Sequence, residues 1–386
     1  MRKTKYTNMF SKDGFFPRRS SSLAFAEKWI EIDLDKIKGN VAAIKKRLNP
    51  KVKLMAVVKA DAYGHGIIPV SKAVLCAGAD ILGVISVDEA AILRKSGVKN
   101  PIFILAPSLP SRIPEIIKLN LIPTVDSQEF LRLFNARLKK RKIHREYCLD
   151  MDFGIGRWGI KPEKFISFVE KTENLKNAVL SSISTHINYF PNKNMVEAQE
   201  KLSLFRKICE KVLEKNPKIK LHAANSSVLC DFPQWQFDMV RIGNLIYGLY
   251  PSRIYPGPPI KGIRRPWKFR AKIISIRKVR KGQSIGYASE YVSPKNMTIA
   301  CIPSGYGDGL TMEPKEKNIN ISAGSNYWGI IKGRKAFFVG KPGIIHTLLD
   351  ITNVPNVKVG DPVELPVRRT IAPVRIPRIY NRTARR

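Results

Sequence analysis

Short apolar segments alternate with amphipathic helical patterns over most of this 386-residue chain. A strand-like segment, WIEID at 29–33, and a helical pattern over 33–48 come first. Eight further strand candidates then begin near Lys53, Ile81, Pro101, Leu121, Glu146, Ala178, Lys220 and Met239. Helical patterns lie between most of them, at 68–78, 87–97, 112–119, 127–141, 161–173 and 195–216. Eight strands with intervening helices over roughly 200–250 residues predict a (β/α)8 barrel. An open doubly wound sheet is the alternative, but no glycine-rich dinucleotide fingerprint supports it.

The pattern changes after about residue 262, where short β-rich runs punctuated by Gly and Pro replace the helices. These runs are FRAKIISI, MTIACIPS, WGIIKG, KAFFVG, TLLDIT and DPVELPV. The sequence therefore predicts an α/β barrel domain over 29–262, followed by a C-terminal mostly-β domain over 263–386. Residues 1–28 are basic and serine-bearing and lack the apolar core of a secretory signal, so we predict a disordered extension there. A start codon placed too early and an organelle transit peptide are the alternatives.

Composition excludes several classes of protein. No apolar run approaches the ~20 residues that a membrane span needs. Five cysteines are scattered without CxxC pairing, which favours a reducing cytoplasm and indicates neither a zinc site nor a disulfide framework. The formal net charge of +37 fits either a polyanion partner or a generally lysine-rich surface, and the second interpretation is favoured. Because the basic residues are spread along the whole chain without an aromatic-interleaved RNA motif, we expect no specific nucleic-acid binding, only sticking at low salt.

Polar side chains follow the ends of the predicted strands, where a barrel carries its active site. Lys59 ends the first strand, and the others are Asp150, Asp152 and Arg157 after the fifth, His186 after the sixth, Asn225 and Ser226 after the seventh, and Arg241 and Gly243 after the eighth. Each alone has an ordinary structural explanation, such as a helix cap for Ser226 or a surface ion pair for Arg157. Their occurrence at one barrel face favours an active site.

The stretch AVVKADAYGHG, residues 56–66, places one amine directly after a buried strand. Burial lowers the pKa of an ammonium group and frees the amine for Schiff-base chemistry, although a surface lysine that closes a strand would have the same pattern. Near the eighth strand, Ser226, Gly243 and Asn244 offer a hydroxyl, a tight turn and backbone N–H groups for a phosphate. Two arginines can serve a planar ring and a carboxylate.

AVVKADAYGHG closely resembles the pyridoxal-phosphate lysine motif of the alanine racemases, and the resemblance extends from Trp29 to Tyr380. It implies that Lys59 binds the cofactor covalently and acts as one of two bases. It further implies roles for Tyr63 at the phosphate, for Arg241 facing the pyridine nitrogen with His186 behind it, and for Arg157 near the substrate carboxylate. Asn225, Ser226, Gly243 and Asn244 would complete the cofactor site.

The second base implied by the resemblance is Tyr287, in GQSIGYASEY, and Tyr306 in IPSGYGDG matches a tyrosine that lines the substrate entrance. A free tyrosine has a pKa of about 10, so a catalytic tyrosine needs a lowered pKa. In the family this base reaches the neighbouring subunit's cofactor, which implies a head-to-tail homodimer.

Four departures from the family's pattern involve five positions. Asp150 replaces a lysine, often carbamylated, that braces the arginine, and its carboxylate could supply the same charge to Arg157. Ile344 and Ile345 replace a Met-Asp pair whose methionine backbone meets the substrate carboxylate. A phosphate-contacting tyrosine position falls on Pro366, and an expected arginine appears as Met312. The last three changes bear on substrate specificity.

Three hypotheses follow. The first is a cytoplasmic alanine racemase that supplies D-alanine for peptidoglycan of the cell wall. The second is a pyridoxal-phosphate racemase of another amino acid with an altered substrate gate. The third is a weakly active cofactor-binding homologue, against which the retention of Lys59, Arg157, Arg241 and Tyr287 argues.

Overall fold

A computed structural model describes residues 26–251, 260–286, 289, 291–310, 327–367 and 372–381 of the chain. They divide into two compact units. One contains residues 31–267 with 380 and 381, and the other contains residues 26–30 and 268–379. Strand β1 (Lys28–Asp33) contributes residues to both.

Eight parallel strands form the sheet of the first unit. They are β2 (Lys53–Val57), β3 (Ile81–Val84), β4 (Ile102–Ile104), β5 (Ile122–Val125), β6 (Arg145–Met151), β7 (Ala178–Thr185), β8 (Lys220–His222) and β9 (Met239–Ile242). The strand order is β8-β7-β6-β5-β4-β3-β2-β9. Two backbone hydrogen bonds link the segments of β8 and β9, which stand at the two ends of this order. They run from Asp238 N–H to the Leu221 carbonyl and from Arg241 N–H to the Ala224 carbonyl. The predicted fold class is confirmed, and each strand begins within one residue of its predicted start.

Helical segments connect the strands. They are α1 (Leu34–Lys45), α2 (Lys59–Tyr63), α3 (Ile67–Cys76), α4 (Val87–Lys95), α5 (Ile113–Lys118), α6 (Gln128–Lys140), α7 (Pro162–Glu170), α8 (Met195–Lys215) and α9 (Ser226–Asp231). Side-chain oxygens cap the N-termini of several of these helices, because the first N–H groups of a helix have no partner within it. Ser86 caps α4 and Ser127 caps α6. Helix α6 buries Phe130, Phe134 and Leu138 along one face, as its periodicity predicts.

The barrel interior is packed with large apolar side chains. Met55, Ile81, Phe103, Cys148 and Met239 form one buried cluster contributed by five strands. Truncating such a residue to Ala typically costs about 2–5 kcal/mol, because the cavity only partly closes. This apolar packing lies below the polar residues at the strand ends and fixes the positions of the strands relative to one another.

The second unit is mostly β. Its strands are β10 (Trp267–Lys272), β11 (Ser275–Val279), β12 (Ser284–Ile285), β13 (Tyr291–Val292), β14 (Met297–Ile302), β15 (Trp328–Ile331), β16 (Arg334–Val339), β17 (Thr347–Asp350), β18 (Pro362–Leu365) and β19 (Arg378–Asn381). The end residues Trp267 of β10 and 380–381 of β19 belong to the first unit. The main sheet has the order β11-β14-β17-β16-β15-β18-β10-β1-β19. Asp308 is fully buried in this unit, where Lys28 Nζ lies 2.7 Å from its Oδ2.

The chain's first described residues belong with the β unit, although the predicted barrel domain begins at residue 29. The backbone explains this grouping, since Lys272 N–H donates to the Glu27 carbonyl and Ile30 N–H donates to the Pro377 carbonyl. The sequence patterns missed α9 and the short strands β12, β13 and β19. No helix in the described part of the chain is long and apolar enough to cross a membrane.

Candidate active site

A cavity of about 230 Å³ opens at the carboxyl ends of the barrel strands. All the barrel residues assigned to the site from the sequence line it, namely Lys59, Tyr63, Asp150, Arg157, His186, Asn225, Ser226, Arg241, Gly243 and Asn244. Three cationic side chains and one carboxylate face this small volume, so it suits anionic ligands. Among the described residues, no group of three or more His, Cys, Asp or Glu side chains could hold a metal ion.

Lys59 lies two residues beyond the end of β2 and is half-buried. Burial lowers the pKa of its amine, and the positive charges of Arg157 and Arg241 lower it further, while Glu89 opposes them. A lowered pKa raises the fraction of neutral amine, which is the form that acts as a nucleophile or base.

The backbone after Lys59 turns in the left-handed sense. Ala60, Asp61, Ala62 and Tyr63 all have φ between 52° and 55°. Four consecutive non-glycine residues in this region cost about 1–2 kcal/mol each, so contacts elsewhere must hold the turn. Glu89 accepts hydrogen bonds from the N–H groups of Ala60 (2.6 Å) and Ile85 (3.0 Å), and Asp61 accepts one from Ile67 N–H (2.7 Å). Sequence reasoning missed both the turn and Glu89, because propensities disfavour this conformation.

The left-handed turn directs Tyr63 across the cavity toward the eighth barrel strand. Its ring stacks on Tyr247 with centroids 4.8 Å apart, and Tyr247 Oη donates to the Val57 carbonyl at 3.0 Å. Tyr63 Oη lies so close to Gly243 that a Cβ there would approach it to 2.6 Å. A side chain at position 243 would therefore displace the Tyr63 ring, and glycine leaves the tyrosine hydroxyl beside a bare backbone.

Asn225 and Ser226 form the neighbouring wall. Asn225 Oδ1 caps α9 by accepting from the N–H groups of Ser227 and Val228, at 2.9 and 3.0 Å. Buried Ser226 Oγ accepts a long hydrogen bond from Leu245 N–H, at 3.5 Å. Hydroxyl groups from Tyr63 and Ser226 thus flank the backbone at 243–244, a donor set suited to phosphate.

Arg241 is buried, and its guanidinium is anchored by three hydrogen bonds. It donates to His222 Nδ1 at 2.7 Å, to the His222 carbonyl at 2.5 Å and to the Thr185 carbonyl at 2.6 Å. Because Nδ1 accepts, the imidazole carries its proton on Nε2, which lies 3.5 Å from Cys148 Sγ. Burial and Arg241 hold the pKa of His222 well below its usual value, so the ring is neutral.

The histidine that hydrogen-bonds Arg241 is therefore His222, and no hydrogen bond joins His186 to Arg241 among the described residues. The sequence signal was present, because His222 ends β8 in the run KLHAAN, but nothing local distinguishes it from a core histidine. His186 lines the cavity instead. Burial, followed by the charges of Arg241, Arg157 and Lys59, lowers the pKa of His186 to about 3, so it is also neutral.

Asp150 is buried and accepts a hydrogen bond from Ser184 Oγ. Burial raises the pKa of this carboxyl to about 6, against the opposing effects of Ser184, Arg241 and Arg157. No ion pair within 4.0 Å joins Asp150 to Arg157 in the described part of the chain. Ser184 Oγ also lies 3.4 Å from Cys148 Sγ, so a continuous chain of polar contacts runs from Asp150 to Arg241 beneath the cavity.

Arg157 lies at the exposed mouth of the cavity, with its guanidinium 4.4 Å from the centroid of the Trp158 ring. Asp152 shapes the loop that carries it by accepting from the N–H groups of Gly154, Ile155 and Gly156 at 3.0–3.2 Å. A mobile carboxylate ligand could reach this arginine from solvent.

The remaining predicted site residues belong to the β unit. Tyr306 and Ile344 are adjacent there, since Tyr306 N–H donates to the Gly343 carbonyl and Gly307 N–H to the Ile344 carbonyl. Both are well exposed, at 45% and 59%, and so is Ile345 at 56%. Pro366 is exposed at the end of β18, while Tyr287 and Met312 lie outside the described residues.

A lysine amine at the mouth of a parallel barrel, in a cation-rich cavity with hydroxyl and backbone groups suited to phosphate, is typical of barrel enzymes that act on small anionic substrates. Comparisons with known proteins agree with this class. The family model for the alanine racemase N-terminal domain matches residues 32–251, and that for the alanine racemase C-terminal domain matches residues 267–375.

Relatives match over most of their length. The alanine racemase of Halothermothrix orenii is 34% identical over 339 residues, covering 87% of this chain and 86% of the relative. That of Methanococcus maripaludis is 32% identical over 337 residues, with 87% of each covered. The solved alanine racemase of Clostridium difficile 630 superposes with a TM-score of 0.83 at 28% identity, covering 92% of this chain and 96% of that one. This chain belongs to the alanine racemase family, a family of isomerases, and the predicted resemblance is confirmed.

Proposed function

We propose that this protein interconverts L- and D-alanine with pyridoxal 5′-phosphate and supplies D-alanine for peptidoglycan. The observation that carries the proposal is the half-buried Lys59 amine, which faces a cavity with Arg157, Arg241 and the 243–244 cradle. A solved Clostridium difficile alanine racemase in complex with cycloserine is similar to this chain, with a TM-score of 0.81 at 27% identity.

The cavity residues fit this cofactor. The backbone of Gly243, which lines the cavity, and the hydroxyl groups of Tyr63 and Ser226 suit its phosphate. Asn225 and Asn244 would complete that end of the site, with neutral His186 in the cavity wall. Lys59 supplies the amine for covalent attachment. When bound, the cofactor supplies an electron sink that makes the Cα–H of an amino acid acidic.

Arg241 would face the pyridine nitrogen. Its protons are held by His222 and by two backbone carbonyls, and an arginine does not give up a proton under these conditions. A partner that keeps its proton leaves the ring nitrogen unprotonated. This limits side reactions such as transamination.

Racemisation needs a base on each face of the substrate. Lys59 Nζ, with its lowered pKa, would remove or return the Cα proton on one face. Tyr287 would act on the other face, and Arg157 at the cavity mouth would bind the substrate carboxylate. The buried Asp150 carboxyl would contribute negative charge near both arginines.

We also infer a head-to-tail homodimer. Tyr306 and Ile344 present an exposed surface on the β unit that includes large apolar side chains. In this arrangement they line the substrate entrance of the partner's barrel, and Tyr287 enters the partner's site. The cytoplasmic location stays a prediction.

The test incubates purified protein and pyridoxal phosphate with L-alanine in ²H₂O, and resolves the enantiomers on a chiral column with mass detection. D-alanine should accumulate toward an equal mixture, labelled at Cα. If alanine stays untouched while another amino acid of a panel is racemised, the altered gate at Ile344 and Ile345 has changed the substrate.

Tyr287→Phe tests the second base, with Tyr291→Phe as the matched control from the nearby strand β13. Tyr287→Phe should lose racemisation yet still exchange the Cα proton of one enantiomer, because Lys59 remains. Full racemisation by this variant would disprove the assignment of Tyr287 without affecting that of Lys59.

A further inference from the structure

The connections that lead from helices into barrel strands meet at the end of the barrel opposite the cavity. Three neighbouring connections are rich in basic residues: 139–145 before β6, 171–177 before β7 and 215–220 before β8. We call their combined surface the basic face. Its exposed basic side chains include Lys139, Arg141, Lys142, Lys176, Lys218 and Lys220.

Hydrogen bonds and an ion pair make this face continuous. Arg145 N–H donates to the Asn177 carbonyl at 3.1 Å, and Asn177 Nδ2 donates to the Ile143 carbonyl at 3.0 Å. Lys215 Nζ lies 3.0 Å from Glu173 Oε1, which joins the second connection to the third. Basic residues that are far apart along the chain are therefore neighbours on one surface.

Most of the positive charge on the basic face has no paired carboxylate. Lys215 pairs with Glu173, and Lys220 lies 3.7 Å from Asp238. Lys139, Lys142, Lys176 and Lys218 have no carboxylate of a described residue within 4.0 Å. The field at the face is thus only partly neutralised.

Helix dipoles account for a minor part of this charge. Lys139 lies in the last turn of α6, where a cation stabilises the helix. Lys142, Lys176 and Lys218 lie beyond the helix ends and have no such role. At the cavity end, connections carry Asp126 and Asp152, and the first turns of the helices that follow carry further carboxylates, namely Asp61, Asp88, Glu89 and Glu129. The basic charge is therefore not uniform.

We propose that the basic face binds the phosphate backbone of nucleic acid without reading its sequence. Duplex DNA carries one negative charge per ~1.7 Å of its axis, and this dense row of phosphates complements a cluster of lysines. Each lysine ammonium acts on a phosphate as a point charge. A membrane-surface helix or patch also needs apolar anchors. Among the described residues of these connections and the first residues of their strands, Val179 is the one large apolar side chain that is exposed.

The experiment measures anisotropy of a fluorescein-labelled 24-base-pair DNA duplex of random sequence, with the full-length protein, between 50 and 200 mM KCl. The test variant carries Lys139→Glu, Lys142→Glu, Lys176→Glu and Lys218→Glu. The control carries Lys72→Glu, Lys161→Glu, Lys164→Glu and Lys207→Glu, four exposed positions away from the face, so both have the same net charge.

We expect the basic-face variant to bind about tenfold or more weakly at 100 mM KCl. Its log-log salt slope should be flatter by about 3 to 4, because each lost phosphate contact removes about 0.9 from the slope. The control should stay within about threefold of the unaltered protein. Both should racemise alanine at the unaltered rate, since all eight positions lie outside the cavity.

Three results would overturn the proposal. Equal weakening by both variants would assign the binding to net charge alone. Absence of duplex binding at 100 mM KCl would show that the basic face is not a nucleic-acid site. Binding to vesicles of phosphatidylglycerol and phosphatidylcholine without binding to the duplex would indicate a membrane surface instead. If the variant fails to fold, lysine acetylation of the unaltered protein decides: the duplex should protect Lys142, Lys176 and Lys218 but not Lys72.

Discussion

The charged groups at the two ends of the barrel strands differ in burial and in number. At the carboxyl ends a few ionisable groups share a cavity of about 230 Å³, and burial shifts the pKa of Lys59, Asp150 and His186. At the amino ends many cations are exposed to water, and each keeps its own hydration. A buried charge therefore acts individually through its neighbours, whereas exposed charges act together through their summed field.

One strand, β2, has a lysine near each of its ends, so the two environments can be compared with the same residue type. Lys53 begins β2 at the amino end of the strand, outside the basic face, and Lys59 follows β2 at the cavity end. Substitutions at the two ends of one strand should therefore have very different effects.

Lys59→Ala should reduce racemisation of alanine by at least about 10³-fold, because the variant loses both the attachment amine and one base. The chiral assay with added pyridoxal phosphate measures this loss. Lys53→Ala is the matched control from the other end of the strand and should retain the activity. Comparable losses in the two variants would remove the distinction between the ends.

His222→Phe should lower the free energy of unfolding by about 3 kcal/mol, because one N–H of the buried Arg241 guanidinium loses its acceptor. Urea denaturation measures the change. His186→Phe removes a histidine that has no hydrogen bond to Arg241 in the described part of the chain and should cost less. The assignment of His222 as the partner of Arg241 is wrong if His186→Phe is the more damaging change.

Asp150→Asn should raise the free energy of unfolding by about 2 kcal/mol at pH 8 and lose this advantage toward pH 4. The pKa of Asp150 is raised to about 6 in the folded protein from 3.8, so the ionised carboxylate destabilises the fold above pH 6. As the pH falls from 6 to 4, the unaltered side chain takes up a proton and the penalty disappears. Asp88→Asn, at an exposed carboxylate, is the control; a difference independent of pH would contradict the titration.

Lys218→Ala should change the free energy of unfolding by less than about 0.5 kcal/mol, because its ammonium group is exposed and has no carboxylate partner among the described residues. Guanidinium chloride denaturation checks this value. An effect above about 1 kcal/mol would mean that the basic face contributes to folding stability and is not reserved for a ligand.

Local sequence patterns predicted much of the architecture. The eight barrel strands, most of the helices and the lysine after the first strand follow from apolar periodicity and capping residues, which are properties of short segments. The family motifs added the identities of the arginines and of Tyr63. The left-handed turn after Lys59 was missed, since intrinsic preference opposes it and Glu89, 29 residues away, stabilises it.

The amino-acid sequence by itself determined where strands and helices form and which polar side chains end at the cavity face. Only the tertiary structure decided that His222 contacts Arg241, that Ser184 donates to Asp150, and that three separate connections join into one basic face. These hydrogen bonds join residues that are 19 to 34 positions apart in the sequence, so they depend on the register of neighbouring strands. The pKa of each buried group depends on the same packing, because burial and neighbouring charges exist only once the barrel has closed.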